Sequence, residues 1–547
     1  MENIIKNLQY KVQVVISIIC CTCCSCSDSL DVVPKDQVSD AVLWENETNA
    51  DLFLHNIYAD LFSLYNADDH WGENFSDNAV GNYAFQYSVN TFSLAGYTSQ
   101  NGPNVWGLYS SIRKTNLFIE KVSEKDFPKE WKDVRIGEAK FLRAYFYSYL
   151  WCYYGGVPII TKVLNQSMGD AIFFERATFD VTFEFIVEEL ASIVPLLPLN
   201  AESGRASKGA ALALKGWCEL FAASPLNNPD NNREKWEQSS RTYRELMDLG
   251  KYDLFPDYSK LFLEENNDNM EDIFHRAYYS NNTITAAQGP AYVGSVLRGH
   301  ASSLPTQELV DSYVMSNGLP ITNPASGYDP QNPYEGREKR FYCDIIYDGS
   351  EWAGEKMVMK QGVGSRNATD ISNTTEATNT GYYWRKGMDP KYAFVGNGQN
   401  SAHVMIFRYA EVLLGYAEAE NEVNGPTPSV YEAINRVRSR VELPPLSEGM
   451  SQSEMRITIH RERRVELAWE GKRWLDLIRL KQAEDKLNGF LHAVIIEKSN
   501  SKDEWLYKYE PAAGGERKFY SEKNYRFPIP QSAIDRNTKL IQNPGYN

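Results

Sequence analysis

Residues 136–158 constrain the fold of this chain more than any other stretch. Two neighbouring i, i+4 columns, Phe141/Tyr145/Tyr149/Tyr153 and Leu142/Phe146/Leu150/Tyr154, make a wide apolar face at helical spacing, and Trp151 adds a third column. Only Lys140, Arg143 and Ser148 are plainly polar. The spacing predicts a long buried helix, stopped by a left-handed turn at Gly155-Gly156 and barred from continuing by Pro158. Rings in such rows are either a platform for a ligand or a packing core. Because the segment belongs to a pair of helices, core is the expected role.

The same periodicity recurs in pairs. Residues 49–64, with Leu54, Ile57 and Leu61, precede residues 105–122, with Trp106, Tyr109, Ile112 and Ile119. The aromatic helix pairs with residues 178–197, marked by Phe179, Phe183, Ile186, Leu190 and Ile193. Ser207 caps a helix that stops at Ser224-Pro225, and Trp236, Tyr243 and Leu246 mark its partner, closed by Gly250. Residues 406–423 stop at Asn424-Gly425-Pro426, and Thr427-Pro428 restart a helix as cap and first-turn proline. That last unit spans about 34 residues, the length of a tetratricopeptide repeat. The expected fold is mostly α: four tetratricopeptide-like helical hairpins forming a scaffold, with a large irregular, loop-rich ligand-binding subdomain. The scaffold is expected over 43–250 with a loop at 66–104, the irregular subdomain over 251–405, and a C-terminal helical pair with a closing segment over 406–547. Residues 341–347 read as a strand within the irregular part.

Aromatic residues are 13% of a chain whose mean hydropathy is -0.47, so flat rings are plentiful in a polar protein, which suits polar ligands. A net charge of -16 without a basic cluster excludes nucleic acid as an expected partner and disfavours anionic lipid surfaces. Lys6 and Lys11 precede an apolar run from Val12 to Cys24, the order of a secretory signal. Ser25 followed by Cys26 matches a lipoprotein processing site, giving a signal peptide over 1–25 and a lipidated tether over 26–42; Cys24 is the second choice. Cys152, Cys218 and Cys343 are expected as buried free thiols.

Residues 453–480 are densely charged, with Glu462, Glu466, Arg463, Arg464, Arg473 and Asp476 at helical spacings. Salt-linked helix packing is the expected role rather than a catalytic cluster, with Val465, Ala468, Trp469, Leu475 and Ile478 inward.

Several segments together resemble the SusD/RagB family of outer-membrane glycan-binding lipoproteins of Bacteroidetes. They are Gly137-Glu138-Ala139-Lys140-Phe141-Leu142-Arg143-Ala144 running to Tyr154-Gly155-Gly156-Val157-Pro158, and Gly204-Arg205-Ala206-Ser207-Lys208-Gly209. Arg408-Tyr409-Ala410-Glu411, Arg461-Glu462-Arg463-Arg464, Glu470-Gly471-Lys472-Arg473-Trp474, Phe527-Pro528-Ile529-Pro530 and the ending Gln542-Asn543-Pro544-Gly545-Tyr546 follow in the family's order. The resemblance implies a non-catalytic, lipid-anchored protein of the cell surface. It implies oligosaccharides or polysaccharides as ligands and a SusC-like TonB-dependent transporter as partner in nutrient uptake. No binding residue carries over, because the family's binding positions are not fixed motifs.

Sugars are met by rings that stack on their apolar faces and by amides, carboxylates and guanidinium groups that bond their hydroxyls. The loop at 66–104 offers Trp71 beside Asp68, Asp69 and Asn74, and then Tyr83. The irregular region offers Tyr278, Tyr279, Tyr292, Arg298, Trp352 and Trp384. The acid-rich loops 227–232 and 264–272 carry oxygen ligands for calcium without the spacing of a calcium loop, so structural calcium stays open and no cofactor is expected. A glycoside hydrolase and a peptide-binding adaptor on the helical repeats are the competing functions.

Overall fold

A computed structural model describes residues 40–61, 71–81, 94, 96–278, 303–372, 374, 377–392 and 401–546. The scaffold helices are α1 (Glu47–Tyr58), α2 (Leu108–Glu124), α3 (Lys129–Tyr154), α4 (Phe179–Ile193), α5 (Lys208–Ala223), α6 (Arg233–Asp248), α7 (Tyr409–Asn424), α8 (Pro428–Arg440), α9 (Gln452–Glu466) and α10 (Arg473–Arg479). Helix α1 packs on α2, α3 on α4, α5 on α6 and α7 on α8, and successive pairs meet through α2–α3, α4–α5 and α6–α7. These are the four expected hairpins, in one continuous array. No described helix is long and apolar enough to cross a membrane.

Helix α3 explains why the array coheres. From Gly137 to Tyr154 only Lys140 and Tyr149 are not fully buried, since α2 covers one flank and α4 the other. Arg143 and Ser148, two of the three plainly polar residues, are buried as well. The Arg143 guanidinium donates to Glu189 on α4 (2.9 Å) and to Asn116 on α2 (2.7 Å), so one side chain ties three helices. Trp151 stacks on Phe179 with centroids 4.6 Å apart and donates its indole N–H to the Phe179 carbonyl at 3.0 Å. Each ring sealed this way contributes about 1.5–3 kcal/mol of transfer free energy.

The helix stops at the expected Gly155-Gly156 pair, with different work for each glycine. Positive φ is confined to Gly155 (φ 80°), whose N–H closes on the Trp151 carbonyl. Gly156 is required for space: a Cβ there would stand 1.9 Å from the Ala177 carbonyl oxygen. The chain's end completes the stop. Asn543 donates to the Tyr154 carbonyl (3.0 Å) and the Phe527 carbonyl (2.7 Å), while Phe527 stacks on Tyr153 at 4.8 Å and 13°.

Other boundaries also shift. Residues 406–408, read as the start of a helix, end strand β6 (Val404–Arg408), which pairs with β2 (Asp272–Arg276); short apolar runs fit either element, and the long-range partner decides. Ser207 caps α5 by accepting from the Ala210 N–H, whereas Thr427 holds the cap position of α8 with its hydroxyl against that of Ser429. In the irregular region, β1 (Ala79–Gly81) pairs with β3 (Ser303–Pro305), β4 (Ile345–Ile346) with β5 (Tyr383–Trp384), and β7 (His492–Lys498) with β8 (Trp505–Pro511). The expected strand over 341–347 is mostly a helical turn, Lys339–Asp344, followed by β4. Its i, i+4 pair Arg340 and Asp344 both turn inward to polar partners, which a strand's alternation also permits but a helix places on one face. Cys152 and Cys218 are buried free thiols, whereas Cys343 is only half-buried.

The charged segment becomes α9 and α10, joined by a turn with positive φ at Trp469 and Gly471. Its apolar residues Val465, Ala468, Trp469, Leu475 and Ile478 are all buried. Glu466 accepts from Arg340 (3.0 Å), Arg408 (2.7 Å) and Arg440, and Glu470 from Arg408 and Lys386 (both 2.7 Å). Burial opposes the charge on Glu466, but Arg440 and Arg408 overcome it and hold the carboxyl well below the usual range. Removing one partner from such a sealed pair costs about 3–5 kcal/mol, because the other charge is stranded.

Candidate functional site

The described base of the loop at 66–104 is a helical turn, Trp71–Asn74, followed by β1. It is bolted to the α9–α10 segment. Arg473 forks onto both oxygens of Asp77 (2.8 and 3.0 Å), and Arg464 reaches Asp77 (3.0 Å) and Asn78 (2.9 Å). Burial works against Asp77, yet these two guanidinium groups keep its carboxyl well below the usual range. Glu73 accepts from Asn78 (3.0 Å) and the Gly471 N–H (3.2 Å). Burial outweighs those bonds and pushes its carboxyl up to about 7. Arg517 donates to the carbonyls of Asn74 (2.9 Å), Ser76 and Ala79 (2.8 Å). The family-like residues Arg464, Gly471 and Arg473 therefore position the root of a loop far from them in sequence.

The candidate binding residues separate sharply. Asn74 is 1% exposed and its side-chain oxygen already accepts from the Ser303 hydroxyl at 2.7 Å, so it supports the loop from within and offers no amide to a ligand. Trp352 and Trp384 are 2% and 1% exposed, and Trp384 stacks on Trp469 at 4.5 Å; they build the second apolar core with Leu304, Phe341, Ile345 and Val494. Tyr278 is buried with the Arg276 guanidinium 5.4 Å from its ring centre. These four residues present no open face, contrary to the expectation. Cys26, Asp68, Asp69, Tyr83, Tyr279, Tyr292, Arg298 and the side chain of Trp71 lie outside the described residues.

A group of half-exposed rings emerges instead on the irregular lobe. Strand β8 carries Trp505, Tyr507 and Tyr509 at every second position, opposite Lys498, Ile496 and Val494 of β7. Ile496 and Val494 are buried, so this is the hairpin's inner face, and the three rings emerge at its margin. Tyr334 lies beneath, 5.7 Å from the Tyr507 ring and 4.6 Å from that of Tyr347. Tyr342 adjoins Tyr347 at 6.1 Å. Polar groups stand among the rings. Lys360 lies 5.2 Å over Trp505 and 3.3 Å from Asp348, whose other oxygen accepts the Met359 N–H. Burial, then Asp348 and Glu335, push the Tyr507 hydroxyl up to about 12, so it stays a donor at neutral pH. The sequence signal was the period-two spacing of Trp505, Tyr507 and Tyr509; nothing local connects them to Tyr334 or Tyr347.

The acid-rich loop at 227–232 has spent its amides. Asn228 donates to the carbonyls of Ala223 and Asn232 and accepts the Asn232 N–H, leaving no convergent oxygen cage.

Comparison with known proteins places this architecture. Residues 264–546 match the model of the SusD family, and residues 29–216 match a model described as starch-binding, associating with the outer membrane. A SusD-like protein of Formosa agariphila, P38, is 24% identical over 496 residues, covering 85% of this chain and 91% of the relative. A crystal structure of a SusD-like protein from Bacteroides fragilis superposes with a TM-score of 0.79 at 29% identity, covering 94% of this chain and 100% of the other. A second structure from the same species, a SusD-like carbohydrate-binding protein, gives 0.78 at 26% identity and covers 91% and 100%. With its hairpin scaffold, its irregular lobe and a family model matched over more than half its length, the chain belongs to the SusD family.

Proposed function

We propose that the chain is a non-catalytic cell-surface lipoprotein that binds oligosaccharides or polysaccharides and hands them to a SusC-like TonB-dependent transporter. The observation that carries the reading is the ring group Trp505, Tyr507, Tyr347 and Tyr342, half-exposed and interleaved with Asp348, Glu335 and Lys360. Flat apolar faces beside charged donors and acceptors fit a sugar chain, whereas a wholly apolar patch would fit a protein surface. Trp71 adds a second contact in this reading, on a loop whose root is locked by Arg464, Arg473 and Arg517. Cys26 supplies the lipid anchor and the outer membrane the location. The description of the matched family model and the printed name of the carbohydrate-binding relative support the ligand class.

A glycan array probed with the soluble form lacking the first 26 residues tests the ligand class. Saturable binding with no new reducing ends is expected; release of reducing ends would sink the receptor reading in favour of a hydrolase. In the full chain, Cys26→Ala is expected to leave the membrane fraction, and a variant that stays there removes Cys26 as the anchor.

A further inference from the structure

A strand pairing and a bulge bring Asp268, Asp272, His275 and His403 together; the first three line a cleft of about 330 Å³ with Glu202, Arg205, Lys251 and Tyr252, and His403 stands beside them. One ligand atom from each of the four lies within 4.8 Å of the others. His275 on β2 stands opposite Met405 on β6, so His403, two positions before Met405, falls on the same face; the two imidazoles stack at 4.2 Å and 20°. Asp272 precedes His275 by three positions, which in a regular strand would send it to the opposite face. The register shifts on both sides of Phe274 return it to the histidine's side.

The cluster is not satisfied by its own contacts. The Asp272 side chain is 3% exposed; its Oδ2 pairs with His275 Nδ1 at 2.7 Å, while its Oδ1 is buried without a hydrogen-bond partner. His403 Nδ1 is likewise buried without a hydrogen-bond partner. Asp268 Oδ1 is 3.7 Å from His275 Nε2, which also meets the Ser203 hydroxyl at 3.2 Å. Asp272 Oδ1 and His403 Nδ1, buried and unpartnered beside the Asp272–His275 pair, are what a cation would complete.

We propose that these four side chains bind one divalent transition-metal ion of the zinc class. Two imidazole nitrogens and two carboxylate oxygens are the donor set of such an ion, and the carboxylates balance its charge; calcium takes six to eight oxygens and has no use for the histidines. Tetrahedral bonds of about 2.0–2.1 Å place ligand atoms about 3.3 Å apart, so ligation requires the exposed Asp268 to move in and His403 to turn out of its stack on His275. With four protein ligands the site is structural. The ion clips the segment that follows α6 to the strand that enters α7.

The test uses the untagged chain lacking residues 1–26, stripped with a chelator and titrated by calorimetry with Zn2+ and, separately, Ca2+. One equivalent of Zn2+ is expected to bind and raise the melting temperature, reversibly with chelator, while Ca2+ does neither. Co2+ is expected to give the visible absorption of a tetrahedral nitrogen–oxygen site. His403→Gln and Asp268→Asn are each expected to weaken Zn2+ by at least about tenfold. Asp268 is on the surface, so its variant keeps the metal-free melting temperature and separates ligation from folding. Absence of stoichiometric Zn2+ binding, preference for Ca2+, or wild-type Zn2+ affinity in both variants overturns the proposal.

Discussion

Helix α3 and strand β8 both carry rows of aromatic rings, and the two rows do opposite things. On α3 the rings recur at i, i+4 and neighbouring helices cover both flanks, so Phe141, Tyr145, Phe146, Trp151 and Tyr154 are all 0% exposed. On β8 the rings recur at every second residue, with β7 opposite and Tyr334 beneath Tyr507, and the cover is partial: Trp505 and Tyr507 are half-open and Tyr509 is 37% exposed. Ring content does not distinguish a core from a candidate binding surface. The number of covering elements does, and that number is a property of topology rather than of composition.

The sharpest way to break this contrast is Trp151→Ala. Loss of its stacking on Phe179 and Phe183 and of the indole bond is expected to cost about 3–5 kcal/mol in denaturant unfolding, with glycan affinity of the folded fraction unchanged. A wild-type unfolding curve would show that α3 is not the core it is taken for.

Next in size is Asp344→Asn, which probes the lobe's interior rather than its surface. Tyr258 and Tyr313 donate to Asp344 Oδ2 (3.2 and 2.8 Å), and burial pushes its carboxyl up to about 7 despite Lys386 nearby. A raised carboxyl means that the folded state holds the proton more tightly than the unfolded chain. Stability from this group is therefore full below about pH 4 and declines as pH rises toward and through about 7. Asparagine keeps an acceptor for both tyrosines and has no charge to lose, so the variant is expected to be about 1–3 kcal/mol more stable at pH 8 and little changed near pH 4. Urea unfolding at the two pH values checks this; destabilisation at pH 8 would mean that Asp344 works as an anion.

The smallest effects on stability, and the largest on binding, belong to the open rings. Tyr507→Ala is expected to cost about 1–2 kcal/mol of stability and at least about tenfold in glycan affinity. Trp71→Ala is expected to weaken binding with no change in melting. Calorimetry on the two variants sharpens the contrast: wild-type affinity in either removes that ring from the site.

The helices were legible because each pays for its own pattern locally: the columns of α3, the Ser207 cap and the proline at the start of α8 all act within a few residues. The inward residues of the charged segment, from Val465 to Ile478, were legible for the same reason. Trp352 and Trp384 were not, because a tryptophan in a Gly- and Asn-rich stretch has the same local surroundings whether it meets water or Trp469. Asn74 was misread on the same ground, its partner Ser303 lying 229 positions away. Arg143 shows the converse. It stood out as plainly polar on an apolar helix, and Glu189 and Asn116, both on other helices, make its burial tolerable.

The stop of α3 has a consequence in time. The Tyr154 carbonyl accepts from Asn543, 389 positions away, and the Tyr153 ring is covered by Phe527. Arg176, only 22 positions on, also donates to that carbonyl, so the helix end has a local partner early, but its full cover waits for a contact of very long sequence separation. A chain lacking residues 527–543 would keep all four hairpins yet leave Tyr153 uncovered and the Tyr154 carbonyl to Arg176 alone, so local pattern folds this helix and a remote segment finishes it.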